Sequence, residues 1–327
     1  VAGKFYREHV VASRSSHDAL ILERLLWPVQ LPAAPLESLE LSRHFRTSGQ
    51  VLMRDSWDYA NATLLEFKST SFIAENHQHF DQNSFSLNYK APLLLDTGLY
   101  EEYGSSHWWN YYTRSIAHNT LLIFDKNERF TRGDREFSND GGQWFYAPRQ
   151  GYPTIEEISP AGPNALDGII RYENTPQYTY TSGNASKAYA SSKLDMANGF
   201  VRNVLFLRSP SFWGKPVTVV FDSVRSKQAL PATFLLHTAN DPVSGAPGVT
   251  ALGNGQYQLG YNAGQERIVT IRNGGGMLTA QTILPLNASV RKVGGAQEGG
   301  NGCAQTDLET GAVAGNGADC RFTVRRR

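Results

Sequence analysis

Short apolar or alternating runs separated by turn residues recur along most of this 327-residue chain, and they constrain its fold more than any other feature. Ser84–Tyr89 (SFSLNY) alternates strictly, which predicts a strand with Phe85 and Leu87 on one face and the serines on the other. Asn-Gly, Gly-Asn and Asp-Pro turns separate the runs. The pattern predicts an all-β fold, a large antiparallel sandwich. Further predicted strands are 49–54, 62–68, 92–95, 120–124, 143–146, 169–172, 178–181, Phe200–Leu207, 217–221, 232–237, Gln256–Leu259, 268–272, 277–284 and 289–293.

The first 45 residues have a different character. Residues 16–29 place leucine and isoleucine at helical spacing and reach Pro28, which ends the predicted helix. The Pro-punctuated residues that follow read as a linker. Because one helix cannot bury its apolar face alone, we expect a helical region upstream. The predicted organisation is therefore a helical remnant and linker over 1–45 and a sandwich over 46–327, with the strands from about residue 228 as a candidate sub-domain.

Charge and cysteine content limit the classes of function that we expect for this chain. With 19% charged residues and a net charge of +1, we expect no bulk electrostatic binding of nucleic acid or of a membrane surface. No apolar run approaches the roughly 20 residues that a bilayer span needs. Cys303 and Cys320 bracket a Gly/Ala-rich segment that packing alone would hold poorly. A disulfide there would indicate a periplasmic or secreted protein, and two unrelated buried thiols are the alternative.

Histidines and carboxylates concentrate in three neighbouring segments, ENHQHFDQNSF, PLLLDTGLY and RSIAHNTLLIFD. On a strand, His77, His79 and Asp81 would point to one face. Asp96 ends an apolar run, and His118 opens another. Imidazole and carboxylate are ligands that zinc accepts, although the spacing matches no short zinc signature. Histidines hydrogen-bonded inside a sandwich core are the alternative interpretation.

Two further groups are candidates for substrate binding. Arg114 could form a bidentate pair with a substrate carboxylate, or it could pair with a nearby carboxylate such as Asp125. Tyr103, Tyr111 and His107 lie in or beside the aromatic cluster SHWWNYY. Aromatic faces stack on sugars, but they fill sandwich cores equally well.

The motif order HxHxDxxSF, then DxGxY, then RSxAHNT resembles the heparinase II/III family of polysaccharide lyases. The later segments GNASKAY, VRNVLFL, VVFDSV and FLLHT follow the order of that family's β domain, and the resemblance covers about residues 40–240. It implies an antiparallel β super-sandwich packed against an N-terminal helical toroid, with the active site between them. The implied reaction is β-elimination on an anionic polysaccharide that contains uronic acid.

The resemblance also implies residue roles. His77, the first histidine of HxH, takes part in catalysis, while His79, Asp96 and His118 bind a structural zinc ion. The acid–base tyrosine and its partners belong to the toroid, so that this chain would supply only one half of the site. The implied partners are the polysaccharide and the toroid, with neither nucleic acid nor membrane.

Two other functions stay open on the residues alone. One is a non-catalytic carbohydrate-binding sandwich that keeps a structural metal. The other is a zinc hydrolase, for which Asp81 is the nearby candidate general base. Which polysaccharide is cleaved, a glycosaminoglycan, alginate or another uronate polymer, is not encoded in a recognisable motif, because substrate choice depends on subsite residues.

Overall fold

The computed structural model describes residues 35–74, 77–98, 100, 102–146, 153–208, 214–239, 249–253, 256–259, 268–286, 288, 290–293, 305–306, 313–314 and 322–326. The predicted helix at 16–29 and both cysteines, Cys303 and Cys320, lie outside the described residues. No helix within these ranges is long and apolar enough to cross a membrane.

Strands dominate the described chain. In order they are β1 (Ser42–Phe45), β2 (Gln50–Arg54), β3 (Thr63–Lys68), β4 (Ser84–Tyr89), β5 (Ala91–Leu94), β6 (Leu121–Ile123), β7 (Phe130–Arg132), β8 (Arg135–Phe137), β9 (Gly168–Asn174), β10 (Tyr178–Asn184), β11 (Phe200–Leu207), β12 (Val217–Val224), β13 (Ala232–Thr238), β14 (Val249–Gly253), β15 (Gln256–Leu259), β16 (Ile268–Asn273), β17 (Gly276–Gln281), β18 (Val290–Val293), β19 (Gln305–Thr306), β20 (Val313–Ala314) and β21 (Phe322–Arg326). The helical pieces are short: α1 (Ile155–Ile158), a π-helical turn at Trp108–Tyr112 and 3-10 turns at Leu36–Ser38, Ser115–Ala117 and Ser186–Ala188.

Three antiparallel sheets form the framework. Strands β1 to β5 pair in sequence order, as expected when short turns join successive antiparallel strands. The second sheet has the order β12-β11-β10-β9, and the third has the order β14-β15-β18-β21-β13-β6. Strand β1 lies inside the segment for which the sequence predicts a linker. The predicted all-β antiparallel fold is confirmed.

The main core lies between the first two sheets, and it follows from the alternation of the strands. Val51 and Met53 of β2 and Phe67 of β3 have no exposed surface, and neither do Val204 and Phe206 of β11. Each such side chain contributes about 1.5–3 kcal/mol by leaving water. The residues between them, Leu52 and Leu205, lie on the opposite face and are partly exposed, so the strand period of two decides which side of each sheet is buried.

The predicted strand at 143–146 does not form, and neither does the strand assumed for the shared face of His77, His79 and Asp81. Residues 77–81 are a loop, in which the Phe80 N–H donates to the carbonyl of Thr113 (2.8 Å) rather than to a neighbouring strand. Residues 143–146 are also irregular. Their backbone donors bond to single groups and not to a neighbouring strand: the Gln143 N–H donates to Ser115 Oγ (2.8 Å), and the Trp144 N–H donates to the carbonyl of Ala188 (3.0 Å).

Candidate active site

The segment 77–83, called the histidine loop below, is the last part of the connection between β3 and β4 and leads directly into β4. His77 has φ = 64° and Asn83 has φ = 58°, both in the left-handed region that non-glycine residues adopt uncommonly. Although the loop is no strand, His77, His79 and Asp81 line one cleft of about 250 Å³, as their spacing predicts. Asp96 lines the same cleft.

The alternate side chains of the loop face the protein interior. The Gln78 amide donates to Thr70 Oγ1 (3.0 Å) and to the carbonyl of Phe72 (3.2 Å). Gln82 Oε1 accepts from the N–H (2.6 Å) and the hydroxyl (2.9 Å) of Thr70. The Phe80 ring stacks on Trp144, with centroids 5.1 Å apart. These contacts hold the backbone in a shape that exposes His77 to the cleft.

Three of the predicted site residues meet beside this cleft. His79 Nδ1 lies 3.2 Å from His118 Nε2, and His118 Nδ1 lies 2.9 Å from Asp96 Oδ1. His118 is 1% exposed, whereas 54% of the Asp96 side chain is exposed. The edge of the Tyr112 ring packs on His79, with centroids 5.0 Å apart. The structure therefore orders these residues as a row in which the buried His118 lies between Asp96 and His79, both of which line the cleft.

Charge is distributed unevenly along this row. Burial and the neighbouring charge of His118 lower the pKa of His79 to about 4, so that His79 is neutral at pH 7. Burial works against the charge of His118, but the attraction of Asp96 outweighs it and raises the pKa of His118. Desolvation likewise opposes the ionisation of Asp96, yet the charge and hydrogen bond of His118 hold the pKa of Asp96 below its usual value.

The two imidazoles fit a shared metal ion. Two nitrogens bound at 2.0–2.1 Å to one tetrahedral Zn²⁺ lie about 3.3 Å apart, close to the separation of 3.2 Å between His79 and His118. Asp96 contacts the other nitrogen of His118, as carboxylates that orient a metal-binding histidine do. Within the described ranges no group of three or more His, Cys, Asp or Glu side chains is arranged to hold a metal. The zinc roles of His79, Asp96 and His118 stay a prediction.

A buried arginine joins the two chain segments that carry these histidines. Arg202 of β11 forms a bidentate pair with Asp222 of β12, with both distances 2.7 Å. Its Nη1 also donates to the carbonyls of Asn83 (2.7 Å) and Asn119 (2.8 Å). Arg202 has no exposed surface. The VRN and FDS motifs thus supply a positioning residue and its counter-ion.

The cleft also contains a lysine that sequence reasoning did not single out. Lys68 Nζ lies 2.6 Å from Asp81 Oδ2, and 23% of its side chain is exposed. Burial opposes the charge of Lys68, but the Asp81 carboxylate outweighs this and raises the pKa of the lysine. The run TLLEFK reads as an alternating apolar strand, so this lysine was not singled out. Its position at the strand end gives no sign of which side chain lies opposite it.

Arg114 corrects the prediction of a substrate contact. Its side chain is fully buried and lies 2.7 Å from Asp140 Oδ1. Asp140 is not among the carboxylates that the sequence suggested as partners. The guanidinium lies over the rings of Phe130 (4.5 Å) and Trp144 (4.7 Å). No solvent-facing surface is left for a polysaccharide, so Arg114 supports the core.

The aromatic candidates divide in the same way. Tyr111 is 2% exposed and its hydroxyl lies 2.7 Å from Thr97 Oγ1, while His107 is 1% exposed and stacks on Tyr111. Burial removes both from substrate contact in this structure. Tyr103 is 61% exposed and borders a second pocket beside His77. The surface position expected for a sugar-binding residue is therefore kept by Tyr103 alone among these three.

The chain is similar to proteins that are already known. The family described as heparinase II/III-like, C-terminal, matches residues 37–294. A comparison with curated proteins found no match. Among solved structures, the chain is similar to "Heparinase III-BT4657 gene product", with a TM-score of 0.49 and 13% identity. That alignment covers 93% of this chain and 36% of the other, so this chain spans little more than a third of its length. Because the family match extends over most of the sequence, the chain belongs to the heparinase II/III-like C-terminal family.

Proposed function

We propose that this chain supplies one half of the active site of a lyase that cleaves a uronic-acid-containing anionic polysaccharide by β-elimination. The observation that carries the proposal is the position of His77, exposed at the cleft on a loop whose interior side chains are fixed. A rigid loop with one exposed imidazole is the arrangement that general acid–base catalysis requires.

The reaction removes the C5 proton of a uronate and expels the O4 substituent, and the electron pair of the C5–H bond becomes the C4–C5 double bond. His77 is the group on this chain that can accept the proton or donate a hydrogen bond to the uronate carboxylate. Neutralising that carboxylate makes the C5 proton more acidic. A second group must protonate O4, and we assign it to a helical toroid of the same protein.

The charges that line the cleft support the proposal that the other half of the active site lies outside this chain. Glu66, Asp81 and Asp96 line it, with Lys68 as the cation among the lining side chains. Lys68 is already paired with Asp81. Without a bound cation, a uronate carboxylate would meet net repulsion from this half alone, so we expect most of the neutralising donors to come from the toroid.

We further propose a structural zinc ion at His79, Asp96 and His118. A bound Zn²⁺ would add a cross-link between the histidine loop and the AHN segment. His79 and His118 present the two nitrogens that fit it, and Asp96 orients His118. Export to the periplasm or the medium, with a Cys303–Cys320 disulfide, completes the proposal and can be checked by mass spectrometry of the unreduced protein.

The test uses the full-length protein with heparan sulfate, alginate and polyglucuronate as substrates. A lyase produces an unsaturated uronyl end that absorbs in the ultraviolet. His77→Ala is expected to lower turnover by about 10²–10⁴-fold, the contribution of a positioned acid–base group, without changing the melting temperature. His44→Ala is the matched control, because His44 lies on β1, outside the lining of the cleft.

Near wild-type turnover in His77→Ala would overturn the role of His77. Polymer binding without an unsaturated product from any substrate would instead favour the non-catalytic carbohydrate-binding sandwich.

A further inference from the structure

The two edge strands of the second sheet differ in composition and regularity. Strand β9 carries Arg171 and Glu173, and its pairing with β10 shifts register between Ser182 and Gly183. Strand β12 (VTVVFDSV) contains a single charged residue, Asp222, and pairs with β11 without interruption along its whole length. Charged side chains and bulges are devices that keep a sheet edge from pairing with another chain. The β9 edge has both, whereas the outward face of β12 has neither.

The outward face of β12 is apolar and accessible. Val219 is 42% exposed and Phe221 is 57% exposed, while Val220 between them packs against the main core. Asn203 and Leu205 of β11 lie opposite Phe221 and Val219 in the register. Among the described strands, none pairs with β12 on the side away from β11. A long, regular and apolar edge strand of this kind is able to accept another strand.

The charge on β12 does not protect this edge. Asp222 points inward, where both of its oxygens accept from Arg202 at 2.7 Å. Because the carboxylate is balanced within its own chain, an added strand would not meet an unpaired charge.

The sequence of β12 is complementary to itself in an antiparallel register centred on Val220. In this register Val220 lies opposite its own copy, and Val219 lies opposite Phe221 of the second copy at two symmetric positions. Thr218 lies opposite Asp222, so no like charges meet. Pairs of aromatic and β-branched side chains directly opposite each other stabilise antiparallel strands. A second copy of this chain is therefore the partner that the strand fits, about a twofold axis through Val220.

The β12 edge is remote from the cleft. Glu66 of β3 lines the cleft, whereas its neighbours Leu65 and Phe67 point into the core, where they meet Val204 of the second sheet. The outward face of the second sheet is therefore on the far side of the sandwich from the cleft. A second copy bound at β12 leaves the cleft open.

We propose that the full-length protein forms a twofold-symmetric dimer in which the β12 strands of two copies pair antiparallel about Val220. The pairing joins the second sheets of the two copies into one continuous sheet. It also removes Val219 and Phe221 from water and satisfies backbone groups at the edge. The inference does not depend on the proposed function.

Sedimentation velocity across a concentration series tests the dimer. The wild type is expected to associate by mass action. The double variant Val219→Lys/Phe221→Lys places lysine opposite lysine at both symmetric pairs, and it is expected to raise the dimer dissociation constant by about tenfold or more. The control is Ile170→Lys, which changes a residue that is 46% exposed on the β9 edge. It is expected to change the constant less than about twofold.

A charge pair tests the register. Val219→Glu/Phe221→Lys differs from the double-lysine variant only at position 219, but it places opposite charges across the axis. It is expected to associate at least about tenfold more tightly than the double-lysine variant.

Three results would overturn the proposal: a monomeric wild type at every concentration, an equal loss in Ile170→Lys, or no recovery with the charge pair. If the double-lysine variant has a lower melting temperature, Phe221→Ser removes the exposed ring without adding charge. It is expected to weaken association by about threefold or more, and unchanged association would again contradict the dimer.

Discussion

The two sides of the histidine loop differ in how their side chains are held. On the interior side, Gln78 and Gln82 each make at least two hydrogen bonds, and Phe80 is 4% exposed in an aromatic cluster. On the cleft side, His77 is exposed, and Asp81 Oδ1 is buried without a hydrogen-bond partner among the described residues. One short segment therefore carries anchoring and chemistry on alternate residues. Substitutions on the two sides should have separable effects, on stability inside and on activity at the cleft.

The largest expected effect on stability comes from substituting Arg202, which lies behind the interior side of the histidine loop. Arg202→Met leaves Asp222 without its bidentate partner and two carbonyls without a donor, so we expect a loss of about 3–5 kcal/mol in the free energy of unfolding. Denaturant titration followed by fluorescence measures it. Arg225→Ala, an exposed arginine close in sequence, should change stability by less than about 0.5 kcal/mol. A loss below about 1 kcal/mol for Arg202→Met would show that the pair is not needed to hold the loop.

Metal removal is the next largest effect. If zinc binds the folded protein and is present at 100 times its dissociation constant, it contributes about 2.7 kcal/mol, and a chelator should remove that contribution. The melting temperature of the wild type and of His77→Ala should fall with chelator, whereas His79→Ala should start lower and show no further change. Metal analysis of the purified proteins provides an independent measure. An unchanged wild-type melting curve together with an absence of bound zinc would contradict the structural metal.

The smallest of these effects is expected at Gln82. Gln82→Ala removes the acceptor of the Thr70 N–H in a buried environment, which costs about 1–2 kcal/mol. Because Gln82 points away from the cleft, turnover per folded molecule should stay within about twofold of wild type. Thermal unfolding and the product assay, applied to the same preparation, measure both quantities. A large loss of turnover with unchanged stability would mean that the two sides of the loop are coupled.

Regular apolar alternation made the strands predictable. Phe200–Leu207 forms with the predicted bounds, because alternation with a period of two places one set of side chains on the buried face of a strand. Gln256–Leu259 also forms with the predicted bounds. The same rule failed at 77–81 and 143–146. Polar and aromatic residues occur there too, but backbone N–H groups bond to single groups of distant segments, the Thr113 carbonyl for Phe80 and Ser115 Oγ for Gln143, which no pattern within one segment reveals.

Within the site, the sequence indicated which residues meet but not how they are arranged. His79, Asp96 and His118 converge because their segments flank paired and packed strands. Arg114 was misread, since its partner Asp140 lies 26 residues further on in an irregular segment. His237, which follows the apolar run FLL, is a hydrogen-bonded core histidine, with Nε2 2.9 Å from the carbonyl of Ile116 and no exposed surface.

The double carbonyl contact of Arg202 has a consequence for how the row of histidines is assembled. Asn83 and Asn119 each lie close in sequence to one of the histidines, and the guanidinium fixes both carbonyls from a strand of another sheet. The conformational entropy of bringing the two segments together is therefore lost during folding and not during ligand capture. An ion or a substrate that arrives at this place meets donors already in position, so its apparent affinity depends little on reorganisation of the chain.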